Sequence, residues 1–130
     1  MPLNTDYKKN NFDVDLDFGK MGEYHALKIF ENDGRVEVKT ERDIWKTTGN
    51  IAIEIRCYGK PSCLSTTEAK TWVHWLKDGD TYVGGFIFKV SDLKEKIRKL
   101  FKENKARVVM GGDNNASELV LLPIRELFFT

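Results

Sequence analysis

Glu37-Val38-Lys39 places a carboxylate and an ammonium with one residue between them, which on a strand puts both on one face. Glu54 supplies a further acid in the next alternating segment. Glu23 falls, by helical spacing, at the centre of a face made by Ala26, Leu27 and Phe30. A carboxylate there is costly unless it is paired or bound to a cation. The alternative is that Glu23 sits at a helix start, where the dipole and nearby water tolerate it. Hydrolysing a phosphodiester needs a Lewis acid on the scissile phosphate, an activated water, and positive charge for the transition state. Carboxylates with one lysine meet that list. Hard oxygen ligands without histidine or thiolate select Mg²⁺ or Mn²⁺ over zinc, with Lys39 free to orient water or stabilise charge. The acid-x-lysine tripeptide recurs by chance in any charged protein, so its value lies in its placement.

The elements that must do the placing follow from periodicity. Phe18 to Phe30 reads as a helix, with Tyr24, Ala26, Leu27 and Phe30 on one side, ended by Asn32-Asp33-Gly34. Arg35 to Glu41 alternates as a strand, Val36 and Val38 inward and Glu37, Lys39 and Glu41 outward. Ile51, Ile53 and Ile55 mark a second strand, and the loop Arg42 to Asn50 joins the two as an antiparallel hairpin. With the turn near Asp43 to Lys46, Glu37 lies across from Glu54. Like charges so placed repel by a few tenths to about 1 kcal/mol, which calls for a cation beside them, a metal or Lys39. The alternative is a hairpin face that simply meets water. Ser65 with Glu68 reads as a capping box for a helix through Leu76 that packs Trp72 and Trp75 inward. Thr81 to Val90 is a strand. Ser91 caps a helix with a stripe of Leu93, Ile97, Leu100 and Phe101, and Ala106 to Met110 and Glu118 to Leu122 are short strands. Trp72, Trp75 and Phe101 are better read as core than as base-stacking platforms. The order fits a mixed sheet flanked by helices.

With 130 residues, 41% hydrophobic and 32% charged, the chain reads as one globular domain, residues 18–130, behind a polar leader, 1–17. No apolar run approaches a membrane span and the leader lacks a signal-peptide core, so a cytoplasmic protein is expected. Cys57 and Cys63 form no CxxC pair, and with only two histidines they complete no zinc set; both are expected as reduced thiols. His25 and His74 stand in no recognisable constellation. A net charge of +1 decides little. Its distribution says more, with Asp13, Asp15 and Asp17 early and a basic stretch from Lys94 to Arg107. That stretch suits a polyanionic ligand or, as a plainer reading, the solvated face of a helix.

A helical Glu followed by acids and an E-x-K on adjacent strands resembles the PD-(D/E)XK nuclease superfamily. The segment Arg56-Cys57-Tyr58-Gly59-Lys60-Pro61-Ser62-Cys63-Leu64-Ser65-Thr66-Thr67-Glu68-Ala69, with Trp72, is similar to a block of small phage-encoded members. Glu37-Val38-Lys39-Thr40-Glu41-Arg42, Thr48-Gly49-Asn50-Ile51-Ala52-Ile53-Glu54, Gly111-Gly112-Asp113-Asn114-Asn115 and Leu121-Leu122-Pro123 look similar too, so the resemblance covers most of Phe18 to Leu127. It implies a restriction-endonuclease-like α/β core, Mg²⁺ (or Mn²⁺) as cofactor, DNA as substrate, a viral (phage) or bacterial source and pairing into a homodimer. The Pro-Asp dipeptide is absent, and Glu54-Ile55-Arg56 stands where the superfamily places its E-x-K. Two assignments compete. In one, Glu37, Glu54 and Glu23 hold the metal with Lys39 as the lysine. In the other, Glu41 is the first acid and Arg56 replaces the lysine. The first is preferred, because arginine stays protonated and cannot act as a base. Lys60 and the amides of Ser65, Thr66 and Thr67, at a helix start, are candidate phosphate contacts, though an ordinary cap serves equally.

The expected function is metal-dependent hydrolysis of DNA phosphodiesters. Its rivals are a non-catalytic nucleic-acid or protein-binding module on a degenerate nuclease fold, and an accessory or inhibitory viral protein.

Overall fold

The computed structural model describes residues 19–28 and 35–128. The chain divides into two units, Met1–Gly34 and Arg35–Thr130. In the first, residues 19–28 form helix α1, within the predicted Phe18–Phe30. The helix end at Asn32-Asp33-Gly34, Phe30 and the leader, with Asp13, Asp15 and Asp17, lie outside the described residues.

The second unit is mixed α/β. Its elements are β1 (Val36–Glu41), α2 (Trp45–Thr48), β2 (Asn50–Cys57), β3 (Lys60–Pro61), β4 (Thr71–Asp78), β5 (Thr81–Lys89), α3 (Val90–Lys102), β6 (Arg107–Gly111) and β7 (Ser117–Pro123). Short 3₁₀ turns cover Cys63–Ser65, Asp113–Asn115 and Ile124–Phe128. The strands form two sheets, ordered β1-β4-β5 and β3-β2-β7-β6.

The predicted hairpin between β1 and β2 does not form. β1 instead pairs in parallel with β4, Glu37 beside Trp72 and Lys39 beside His74, while β2 pairs antiparallel with β7. The intervening loop explains the parting. α2 folds there, and its neighbourhood is tied to the β4–β5 turn: Trp45 Nε1 donates to Lys77 O at 2.9 Å, the Gly79 amide donates to Asp43 at 2.6 Å, and Lys46 meets Asp78 at 2.6 Å. The chain therefore leaves β1 along β4 and enters β2 in the other sheet.

The predicted helix from Ser65 to Leu76 is also replaced. Thr71–Asp78 is β4, the central strand of its sheet. Thr71, Trp72, Val73 and Trp75 are β-branched or aromatic, types that fit a pleated surface and lose rotamer freedom in a helix. Period two then puts Trp72, His74 and Leu76 inside, while Trp75, expected inside, is 40% exposed. α3 forms as expected and buries Leu93, Ile97 and Leu100, each contributing about 1.5–3 kcal/mol relative to exposure. Phe101 lies off the stripe and is exposed, and the helix starts at Val90 after Lys89 with no side-chain cap, so Ser91 is not its cap. The core joins this stripe to Trp72 and Leu76 of one sheet and Ile51, Ile53, Val120 and Leu122 of the other.

Gly85 lies opposite Trp75, and a Cβ there would come within 2.6 Å of the His74 carbonyl oxygen, whereas one at Gly84 meets nothing within 4 Å. Gly85→Ala is expected to destabilise the fold by about 1–3 kcal/mol and Gly84→Ala by much less, read from urea-unfolding midpoints. Equal effects would show that the close approach does not matter.

Candidate active site

β1 turns its charged side inward, the reverse of the sequence reading. Glu37, Lys39 and Glu41 are half-buried, whereas Val38 is 53% exposed. Val38 lies in register with Val73 and Ile87 across the sheet. The inward charges meet polar groups of β2 and of the segment after β3. Lys39 Nζ lies 3.0 Å from Glu37 Oε1. The same ammonium also reaches the Cys63 thiol, and its charge acts on Glu54.

Glu54 precedes an irregularity in β2, where the pairing with β7 slips between Glu54 and Arg56. The bulge and the following turn fold the chain back, with the Ser62 amide donating to Ile55 O at 3.0 Å. Three donors then converge on one carboxylate. Ser62 Oγ (2.9 Å) and Cys63 Sγ (3.0 Å) donate to Glu54 Oε2, and Ser117 Oγ (2.6 Å), from β7, donates to Oε1. Hydrogen bonds from Cys63, Ser117 and Ser62, with the Lys39 charge, hold the Glu54 carboxyl below its ordinary range despite partial burial. Burial and the Glu54 carboxylate push the Cys63 thiol up, so it is a protonated donor here. Burial pulls Lys39 down, but hydrogen bonding and charge from Glu37, with Cys63, outweigh it and raise the ammonium above its usual value. Lys39 is therefore a fixed positive charge.

Glu41 is engaged elsewhere. Its Oε1 accepts the Ala52 amide of β2 at 2.5 Å and His74 Nε2–H at 3.0 Å. Trp72 Nε1 donates to His74 Nδ1 at 3.1 Å, and since an indole nitrogen only donates, the imidazole proton must sit on Nε2. His74 is 1% exposed.

Lys39 pairs with Glu37 on its own strand and its charge acts on Glu54, but the predicted pairing of Glu37 across from Glu54 does not form. Glu23 is exposed on α1, in the other unit. Of the second assignment, Glu41 joins β1, β4 and β2, and Arg56 is exposed beyond the bulge. Ser65, Thr66 and Thr67 open no helix: Cys63–Ser65 is a single 3₁₀ turn, so no row of helix-start amides faces a phosphate. Lys60 is exposed on β3. The basic stretch includes the solvent side of α3, and Lys105 lies 3.4 Å from both Glu103 and Glu126. The sequence reading missed Ser62, Cys63, Ser117 and His74 as partners. For His74 the signal was present in the alternation Trp72, His74, Leu76, hidden by the helical reading.

A hard divalent ion suits the donor chemistry. Glu54 is held ionised, and its Oε1 accepts one hydrogen bond, leaving lone-pair capacity. The set is partial: among the described residues no group of three or more His, Cys, Asp or Glu side chains is arranged to hold a metal.

Because Glu54 has a lowered folded-state pKa, its contribution to stability is present above the unfolded value near 4.3 and is lost as pH falls through the folded one. Glu54→Gln is expected to flatten the decline in unfolding free energy between about pH 5 and pH 3. Unchanged slopes in urea titrations would show that Glu54 is not held in this way.

No family model, curated protein or solved structure matches this chain.

Proposed function

We propose that this chain is a metal-dependent nuclease that hydrolyses DNA phosphodiesters, on a core of the restriction-endonuclease-like type. The observation that carries the reading is that Glu37 and Glu54, on strands that do not pair with each other, both lie under the influence of one ammonium, Lys39. Glu37 and Glu54 would hold Mg²⁺ or Mn²⁺. Such an ion supplies a Lewis acid toward a phosphate oxygen and makes a bound water more acidic.

The chain's own residues do the rest. Glu54 stays ionised because Ser62, Cys63 and Ser117 hold it by hydrogen bonds, which also fix its direction. Lys39 stays protonated and stabilises negative charge that develops on the phosphate. It is not the general base, since a raised pKa leaves little free amine near neutrality. The same reading includes a cytoplasmic site of action, in a host cell if the source is viral, and a homodimer where both strands are cut. Among the described residues no helix is long and apolar enough to cross a membrane.

A second reading has an observation of its own. Glu37, Glu41 and Glu54 all have partners within the protein, as expected of a module that binds nucleic acid without cutting it.

The deciding experiment incubates the chain with single-stranded, duplex and branched DNA in Mg²⁺, Mn²⁺ or EDTA, beside Glu54→Gln and Lys39→Met. The nuclease reading expects metal-dependent cleavage that falls at least about 100-fold in both variants, an effect of the size seen when a charge-stabilising group is removed. Binding without cleavage under every condition would move the assignment to the module.

A further inference from the structure

At one end of the second sheet, β2 and β3 are joined by Tyr58-Gly59, with φ of 49° and 74°. Positive φ at both central residues is the type I′ hairpin, a turn that favours Asn, Asp or Gly at its first position. Tyrosine is a poor choice there, since a bulky side chain in the left-handed region is strained. Burial does not repay that strain: Tyr58 is 70% exposed. The ring is nevertheless held in place. The Tyr58 amide donates to Ala116 O at 2.9 Å, and Asn114 Nδ2 donates to the phenol oxygen at 3.2 Å. The phenol proton remains available to an outside acceptor.

Two cations lie close to the turn in the chain, on opposite faces of the hairpin by register. Arg56 and Lys60 are exposed on the two strands leading to the turn, and neither takes part in an ion pair among the described residues. Glu118, opposite Arg56 in register, offsets that charge in part, which leaves Lys60 as the freer cation. Asn114 and Asn115 also have positive φ, 58° and 51°, but asparagine tolerates that region. An exposed aromatic ring at the tip of a hairpin whose strands carry exposed cations suits a polynucleotide: a base can stack on the ring while phosphates on either side meet the cations. The hairpin is continuous with the candidate active site, since Glu54 precedes it on β2 and Ser62, which binds Glu54, follows it.

We propose that Tyr58 is a base-stacking contact for a single nucleic-acid strand, with Lys60 and Arg56 on its phosphates, and that its strained turn is kept for this contact. The inference rests on the nucleic-acid reading above. The test measures fluorescence anisotropy of a labelled single-stranded oligonucleotide in EDTA, with the full chain, Tyr58→Asn and Tyr58→Phe, alongside their melting temperatures. Tyr58→Asn is expected to bind about tenfold more weakly while melting at a higher temperature, because Asn suits the turn better. Tyr58→Phe keeps the stacking face and is expected to bind within about twofold of the full chain. Full-strength binding by Tyr58→Asn would overturn the proposal and leave the nucleic-acid reading standing. Failure of the full chain to bind any oligonucleotide would overturn both.

Discussion

One oxygen, Glu41 Oε1, holds three strands in relation. It accepts from His74 on β4 and from the backbone of Ala52 on β2, while Glu41 itself belongs to β1. Hydrogen bonds to a charged group contribute about 1.5–3 kcal/mol, more than neutral ones, and removing the carboxylate would leave two donors without their partner. Trp72 strengthens the arrangement indirectly. By donating to Nδ1 it places the imidazole proton on Nε2, where Glu41 needs it. Since the parallel pairing of β1 with β4 and the antiparallel pairing of β2 with β7 belong to different sheets, this carboxylate is what ties Lys39 and Glu37 to the strand that carries Glu54.

Glu54 shows the same economy in a different form. Its donors come from the 3₁₀ segment and from β7, and they reach it because the bulge and the tight turn return the chain over β2. A partly buried carboxylate with donors on both oxygens is fixed in direction and in charge, which is what either a metal ligand or a structural anchor requires. Lys39 is bound to Glu37 at 3.0 Å, and its charge also favours the ionised Glu54.

Much of this was legible in the sequence, and the failures have physical causes. α3 carries a long apolar stripe of period 3.6, and the short strands near the end of the chain stand between clear turn residues, so their types followed directly. β4 misled because Trp72 and Trp75 satisfy a helical period as well as lying on a strand; only the β-branched neighbours favoured the strand. The hairpin between β1 and β2 was a local inference, and nonlocal contacts at Trp45, Lys46 and Asp43 overrode it. The Glu37–Lys39 pair follows from their i, i+2 positions on one strand, whereas the expected facing of Glu37 and Glu54 rested on the hairpin that does not form. Ser62, Cys63 and Ser117 could not be anticipated, because their approach depends on a bulge and a turn that set no hydrophobic period.

Glu37 and Glu54 are proposed to act as one site despite lying on strands that do not pair. A double-mutant cycle of Mn²⁺ affinities, measured by calorimetry on the full chain, Glu37→Gln, Glu54→Gln and the double variant, tests it most directly. A shared site predicts coupling, with the double variant losing little more affinity than the weaker-binding single variant. Losses that simply add, or a full chain that binds no Mn²⁺, would contradict it.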